Sequence, residues 1–241
     1  MIRSPFAKHD LPRSGLVKYA IGRAFLTVAG FETEGELPED CRKAVMIAHP
    51  HTSNWDLPYM LATAWVYRVR LSWLGKHTVF KGWRGPLMRA LGGIPVDRRA
   101  PKGQVGQAAD RIEESERILL AVAPAGMRAK TDRWRSGFYH IANTAQVHVV
   151  MSYLDFGKKK SGVGGAFLPS GDIAADMDKV RAFYDGMTGL HPELATTIVV
   201  KEELADENLP ESSPVSAPSS PAVSAPDGHL TNGAATFAAP S

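Results

Sequence analysis

Through its middle, this chain alternates short apolar runs with helix-patterned segments. That alternation restricts it to a sheet covered by helices. Residues 44–48, 71–74, 94–96, 118–123, 147–153 and 163–168 read as strands. Residues 57–69, 85–91, 105–117, 137–144 and 177–187 carry helical spacing. Gly92-Gly93 stops the second of these helices. Glu113, Glu114 and Glu116 mark the wet side of the third, and Asp172 or Asp176 stands near the start of the last. The predicted fold class is α/β, with a mixed central sheet flanked by helices. A length of 241 residues suffices for one sizeable core.

The two ends are different material. Within residues 16–31, Leu16, Tyr19, Ala20 and Ala24 follow helical spacing, which predicts an N-terminal amphipathic helix. Lys18 and Arg23 interrupt it, so it is too short and too charged to span a bilayer. Such a helix either packs on the core or lies in a membrane interface. At the other end, Pro214, Pro218, Pro221 and Pro226 alternate with Ser and Ala. That composition buries too little apolar surface to offset the entropy of ordering, and a disordered tail is expected. The expected organisation is an N-terminal segment, 1–31, a main domain, 32–204, and a tail, 205–241.

Charge is uneven. No Lys or Arg follows Lys201, and four of the 25 carboxylates fall from Asp206 onward, leaving 21 against 28 bases in residues 1–205. A basic body calls for an anionic partner such as a phosphorylated ligand or an anionic membrane. No run of five basic residues marks a nucleic-acid surface, and no nucleic-acid partner is expected. Lys158-Lys159-Lys160 is the densest cluster and reads as a solvated hairpin turn between glycines. The single cysteine, Cys41, excludes an intramolecular disulfide and a cysteine zinc cage, and is expected in a loop.

Three motifs follow strands. In His51-Thr52-Ser53-Asn54-Trp55-Asp56 the histidine stands at a strand's open end and the aspartate near the start of a helix. A carboxylate on one ring nitrogen fixes the imidazole tautomer and leaves the other nitrogen free as a base. Next come Lys76 and then Gly92-Gly93-Ile94-Pro95-Val96-Asp97-Arg98, where Arg98 emerges just past a strand with a fork suited to phosphate. The third is Pro124-Ala125-Gly126-Met127-Arg128, again directly after a strand, where open α/β sheets bind ligands. A turn in that position is normally open to solvent or ligand, so Ala125 is expected to accept a longer side chain.

From about residue 44 to 190 the ordered combination resembles the glycerolipid acyltransferases, the lysophosphatidic acid acyltransferase superfamily. His51 to Asp56 matches that family's H-x4-D motif. Gly93 to Arg98 is similar to its second block, and Pro124 to Arg128 to its third, usually P-E-G-T-R. The resemblance implies a membrane-associated α/β acyltransferase of phospholipid biosynthesis. It would move a fatty acyl group from an acyl-CoA or acyl carrier protein thioester to a lipid hydroxyl. Its partners would be a membrane surface, a lipid acceptor and acyl carrier protein, and it would sit peripherally or monotopically on the cytoplasmic face. No bound cofactor or metal is implied. His51 would be the general base and Asp56 its orienting group. Arg98 and Arg128, with Lys76 as a looser match, would bind the acceptor's phosphate, and Gly126 would allow close backbone approach. Leu57, Met60, Leu61, Trp65 and Val66 either line an acyl groove or pack as simple core, the commoner use of such residues.

Two departures stand out. Ala125 replaces the third block's glutamate, and Val147-His148-Val149-Val150-Met151 lacks the prolines of the fourth block, V-P-I-V-P. The first motivates one alternative, a non-catalytic lipid-binding relative. A metal-dependent hydrolase is the other, with His49, His51 and Asp56 as ligands and His77 or His140 completing the set.

Overall fold

The computed structural model of the protein describes residues 9–96, 103–126 and 130–206. These form seven strands: β1 (Glu32–Glu34), β2 (Lys43–His49), β3 (Leu71–Lys76), β4 (Gly93–Val96), β5 (Ile118–Val122), β6 (His148–Asp155) and β7 (Lys160–Phe167). The helices are α1 (Leu16–Val28), α2 (Asp56–Val66), α3 (Arg84–Ala90), α4 (Gly103–Glu114), α5 (Gly137–Thr144), α6 (Ile173–Tyr184) and α7 (Lys201–Asp206), with 3₁₀ turns at His77–Phe80 and Pro192–Leu194. The strands make one sheet in the order β1-β7-β6-β2-β5-β3-β4. Only β6 and β7 pair antiparallel; the other neighbours are parallel. The α/β class and the mixed sheet agree with the sequence pattern. The expected tail, 205–241, falls almost wholly outside the described residues.

Alternation along the central strands divides the core. Val45 and Ile47 of β2, with Leu120 of β5, join Trp134, Phe138 and Met177 on the face covered by α4, α5 and α6. Ala44 and Met46, with Leu119 and Ala121, join Leu61 and Ala64 of α2 and Tyr67 at its end on the other face. Successive side chains of a strand point to opposite faces, so a strand buried on both sides reads as one continuous apolar run. That is why residues 44–48 and 118–123 were legible as strands without any polar alternation.

Where the structure differs from expectation, a tertiary cause is visible. β1 carries only Glu-Thr-Glu, with no apolar pattern. It is an edge strand held by pairing with β7 and by the Glu34–Lys160 ion pair. α6 begins at Ile173, four residues earlier than its apolar spacing suggests, because the Asp172 side chain caps it through Ala175 N–H at 3.0 Å. Cys41 lies in a loop as expected but is buried, its thiol donating to the Lys43 carbonyl. Lys158 and Lys159 lie in the β6–β7 turn, and Lys160 opens β7.

α1 buries Gly22 and Leu26 against α2, while Val17, Ile21, Ala24 and Val28 form an exposed row. The expected helix is present, but its solvent side is also largely apolar. No described helix is long and apolar enough to cross a membrane.

Candidate active site

β2, β5, β3 and β4 are adjacent and parallel, so their carboxyl ends open on one side of the sheet. His51 follows the first, Gly126 the second and Lys76 ends the third. This gathers three motifs distant in sequence at the edge where such sheets take ligands. A cavity of about 790 Å³ opens here, and His51, Asp56, Lys76 and Gly126 all line it.

The His51–Asp56 geometry is set by a short, internally bonded loop. The Ser53 backbone N–H donates to Asp56 Oδ2 at 2.9 Å, and the Trp55 N–H donates to Ser53 Oγ at 3.1 Å. From outside the loop, the His191 N–H donates to Thr52 Oγ1. Asp56 is the first residue of α2, where the helix dipole favours a carboxylate. Pro58 falls in the first helical turn, where no intrahelical N–H is required. His51 Nδ1 lies 3.1 Å from Asp56 Oδ2, with side-chain exposures of 19% and 6%. The aspartate is sealed, whereas the imidazole still reaches the cavity. A carboxylate on Nδ1 places the proton there and leaves the Nε2 lone pair available to accept one.

The apolar part of the cavity runs under α2. Met46, Ala48 and Ala121 of the sheet and Leu57, Met60 and Ala64 of α2 line it. Alanines on facing elements leave space that larger side chains would fill. Of the five residues read as groove or core, Leu57 and Met60 line the cavity and the other three do not. Leu61 packs into the sheet core, and Val66 packs with Leu26 of α1 and with Phe31. Trp65 turns toward α1, where Lys18 sits over its ring.

Arg135 is a cavity residue that sequence reasoning missed. Its backbone N–H donates to the Pro124 carbonyl at 2.9 Å, tying it to the third motif. Its guanidinium crosses Gly126: a methyl there would stand 3.1 Å from Arg135 Nε. Gly126 also has φ +72°, so both its backbone and its neighbour favour glycine. Arg135 is exposed, and among the described residues no carboxylate pairs with it. Nothing in the one-dimensional pattern marks it. The position depends on Trp134, its neighbour, being locked fully buried in the core. Arg98 and Arg128 lie outside the described residues.

Ala125 contradicts the expectation of an open turn. It is 6% exposed, and it is Pro124 and Gly126 on either side that line the cavity. The turn closes through the Gly126 N–H to the Ala123 carbonyl, which faces the methyl of Ala125 inward.

The metal-site geometry is not assembled. His49 is buried between Trp134 and Tyr184, with ring centroids 4.8 Å from each. Burial, with a smaller contribution from His51, pushes it down to about 3, so it is neutral at physiological pH. His140 pairs with Glu202 at 3.0 Å. Among the described residues no group of three or more His, Cys, Asp or Glu side chains is placed to hold a metal ion.

The Acyltransferase family model matches residues 31–154, half of the chain and the whole of β1 through β5 with the His51–Asp56 loop. The chain belongs to the Acyltransferase family. Among solved structures, this family member is similar to the 1-acyl-sn-glycerophosphate (LPA) acyltransferase PlsC from Thermotoga maritima. The two are 18% identical, with a TM-score of 0.48 over 70% of this chain and 73% of that one. No curated protein matches this acyltransferase chain.

Proposed function

We propose that this acyltransferase moves a fatty acyl group from an acyl-CoA or acyl carrier protein thioester to a hydroxyl of a phosphorylated glycerolipid, such as 1-acylglycerol-3-phosphate. The observation that carries this reading is the Asp56-held His51, whose free ring nitrogen belongs to a side chain lining a cavity with an apolar floor. In the proposed reaction the acceptor hydroxyl oxygen attacks the thioester carbonyl carbon while His51 Nε2 takes its proton. The tetrahedral intermediate collapses, the carbon–sulfur bond breaks, and the leaving thiolate takes the proton back from Nε2. Asp56 stays ionised and stabilises the imidazolium between the two transfers. No acyl-enzyme is formed. Met46, Leu57, Met60 and the cavity alanines hold the acyl chain, whose methylenes gain by leaving water.

Arg135 joins Lys76, Arg98 and Arg128 as a group that recognises the acceptor's phosphate. Replacing Arg98, Arg128 or Arg135 with Ala should raise the acceptor KM by about 10-fold or more, the scale of a lost charge-assisted hydrogen bond, with a smaller fall in kcat. The test is a kinetic comparison of phosphorylated with unphosphorylated acceptors. The penalty should be confined to the phosphorylated ones. An unchanged KM in all three variants would remove phosphate from the account.

We further propose peripheral attachment to the cytoplasmic face of a membrane; the exposed apolar row on α1 supports contact with a membrane surface. Leu26 and Phe31 of the same segment are core, so the surface is tested by substitution. Val17, Ile21 and Val28 changed together to Ser should weaken vesicle binding on the order of 10²-fold, at about 1 kcal/mol each. Undiminished flotation with vesicles would exclude α1 as the anchor.

A further inference from the structure

The 40 residues from Leu57 to Val96 contain no Asp or Glu and six Lys or Arg. Four of the six, Lys76, Lys81, Arg84 and Arg89, fall on one corner, made of the turn His77–Phe80 and α3. All four are exposed, and among the described residues no carboxylate pairs with any of them. Three large apolar side chains are exposed on the same corner: Trp83 at 80%, Leu87 at 48% and Val79 at 41%. Trp83 and Leu87 are four residues apart across the start of α3, so they share a face. The corner is held firmly. Phe80 is buried and stacks on Trp73, with ring centroids 5.8 Å apart. A methyl at Gly75 or Gly93 would stand within 2.8 Å of the Phe80 ring, so these glycines let it lie flat on the sheet. Arg89 sits over the Phe80 ring, and Arg84 over Trp83.

An exposed tryptophan and leucine beside four lysines and arginines have a specific complement. The indole suits the boundary between headgroups and acyl chains, while lysine and arginine suit anionic headgroups. We propose that this corner is a second lipid-facing surface, separate from α1, which seats the enzyme on an anionic bilayer. The proposal rests on the reading that the protein works on lipids. Lys76 and Val79 also line the cavity, so the seated corner adjoins its mouth and gives an acyl chain a route out of the bilayer.

The test is sedimentation with phosphatidylcholine vesicles, with and without phosphatidylglycerol, using the full chain. Lys81→Glu/Arg84→Glu should weaken binding to the anionic vesicles at least ~10-fold and leave the neutral ones unaffected. Trp83→Ser/Leu87→Ser should weaken binding to both. Brominated acyl chains should quench less fluorescence in Trp83→Phe than in the wild type. His51→Ala should bind vesicles like the wild type, so that loss of binding and loss of chemistry are read separately. Wild-type binding in both double variants would overturn the proposal. So would normal vesicle binding combined with selective loss of activity on an acyl carrier protein thioester, because the corner would then seat an acidic protein.

Discussion

His51→Ala should fold normally and lose acyl transfer by at least ~10²-fold, the scale of removing a general base, or about 2.7 kcal/mol of barrier. The side chain is 19% exposed and lines a cavity, so its removal leaves no large void in a packed region. Asp56→Asn should fail on the same scale for a different reason. Oδ2 accepts from both the Ser53 N–H and His51 Nδ1, and an amide oxygen can accept the same two bonds. The amide carries no charge to stabilise the imidazolium, and in its other orientation it offers an N–H to Nδ1 and so forces the proton onto Nε2. Steady-state kinetics with thermal melts of both variants check this. Near-normal turnover in a folded His51→Ala protein would exclude the histidine as the base.

Ala125→Glu should destabilise the protein without restoring anything to the site. The methyl is 6% exposed, and it is the flanking residues that reach the cavity. A carboxylate forced into that position would be buried and crowded, at a cost on the order of 3 kcal/mol. For a domain of this size that is a fall of roughly 6–12 °C in Tm. Differential scanning calorimetry measures the shift. An unchanged Tm together with faster acyl transfer would mean that the turn opens to substrate and that a glutamate belongs there.

The burial of Ala125 shows where the sequence was readable and where it was not. Turn chemistry after β5 was evident from Pro124 and Gly126, because those residue types act locally on the backbone. Which side of the turn packs inward depends on what folds against it, and that is not written in five residues. The same limit explains Arg135. It stands eleven residues beyond Pro124, outside every motif, and is brought to Gly126 by a backbone hydrogen bond and the burial of Trp134.

By contrast, the His51–Asp56 pair was legible because most of its determinants lie within a few residues: a strand end, a serine turn and a helix start; only the His191 N–H on Thr52 comes from afar. β2 and β5 were legible because doubly buried strands are uniformly apolar. β1 was not, since Glu32-Thr33-Glu34 is a strand only by virtue of β7 beside it. On α2, helical spacing identified an apolar segment. It could not separate Leu57 and Met60, which face the cavity, from Leu61, Trp65 and Val66, which pack elsewhere, because apolar residues surround most of the helix.

The intact His51–Asp56 pair also bears on the reading of this protein as a binding relative without chemistry. A lipid-binding relative has no need of a sealed carboxylate bonded to a histidine at a cavity wall. Burying Asp56 costs desolvation that binding alone does not require. We therefore expect the pair to turn over substrate.

The most direct measurement is product analysis by mass spectrometry after mixing the purified protein with an acyl thioester and 1-acylglycerol-3-phosphate. The wild type should yield the acceptor carrying a new acyl ester, together with one free thiol per ester formed, and His51→Ala should yield neither above background. A folded wild-type protein that consumes no thioester with any phosphorylated acceptor, or a His51→Ala variant that forms the ester as fast as the wild type, would contradict the account.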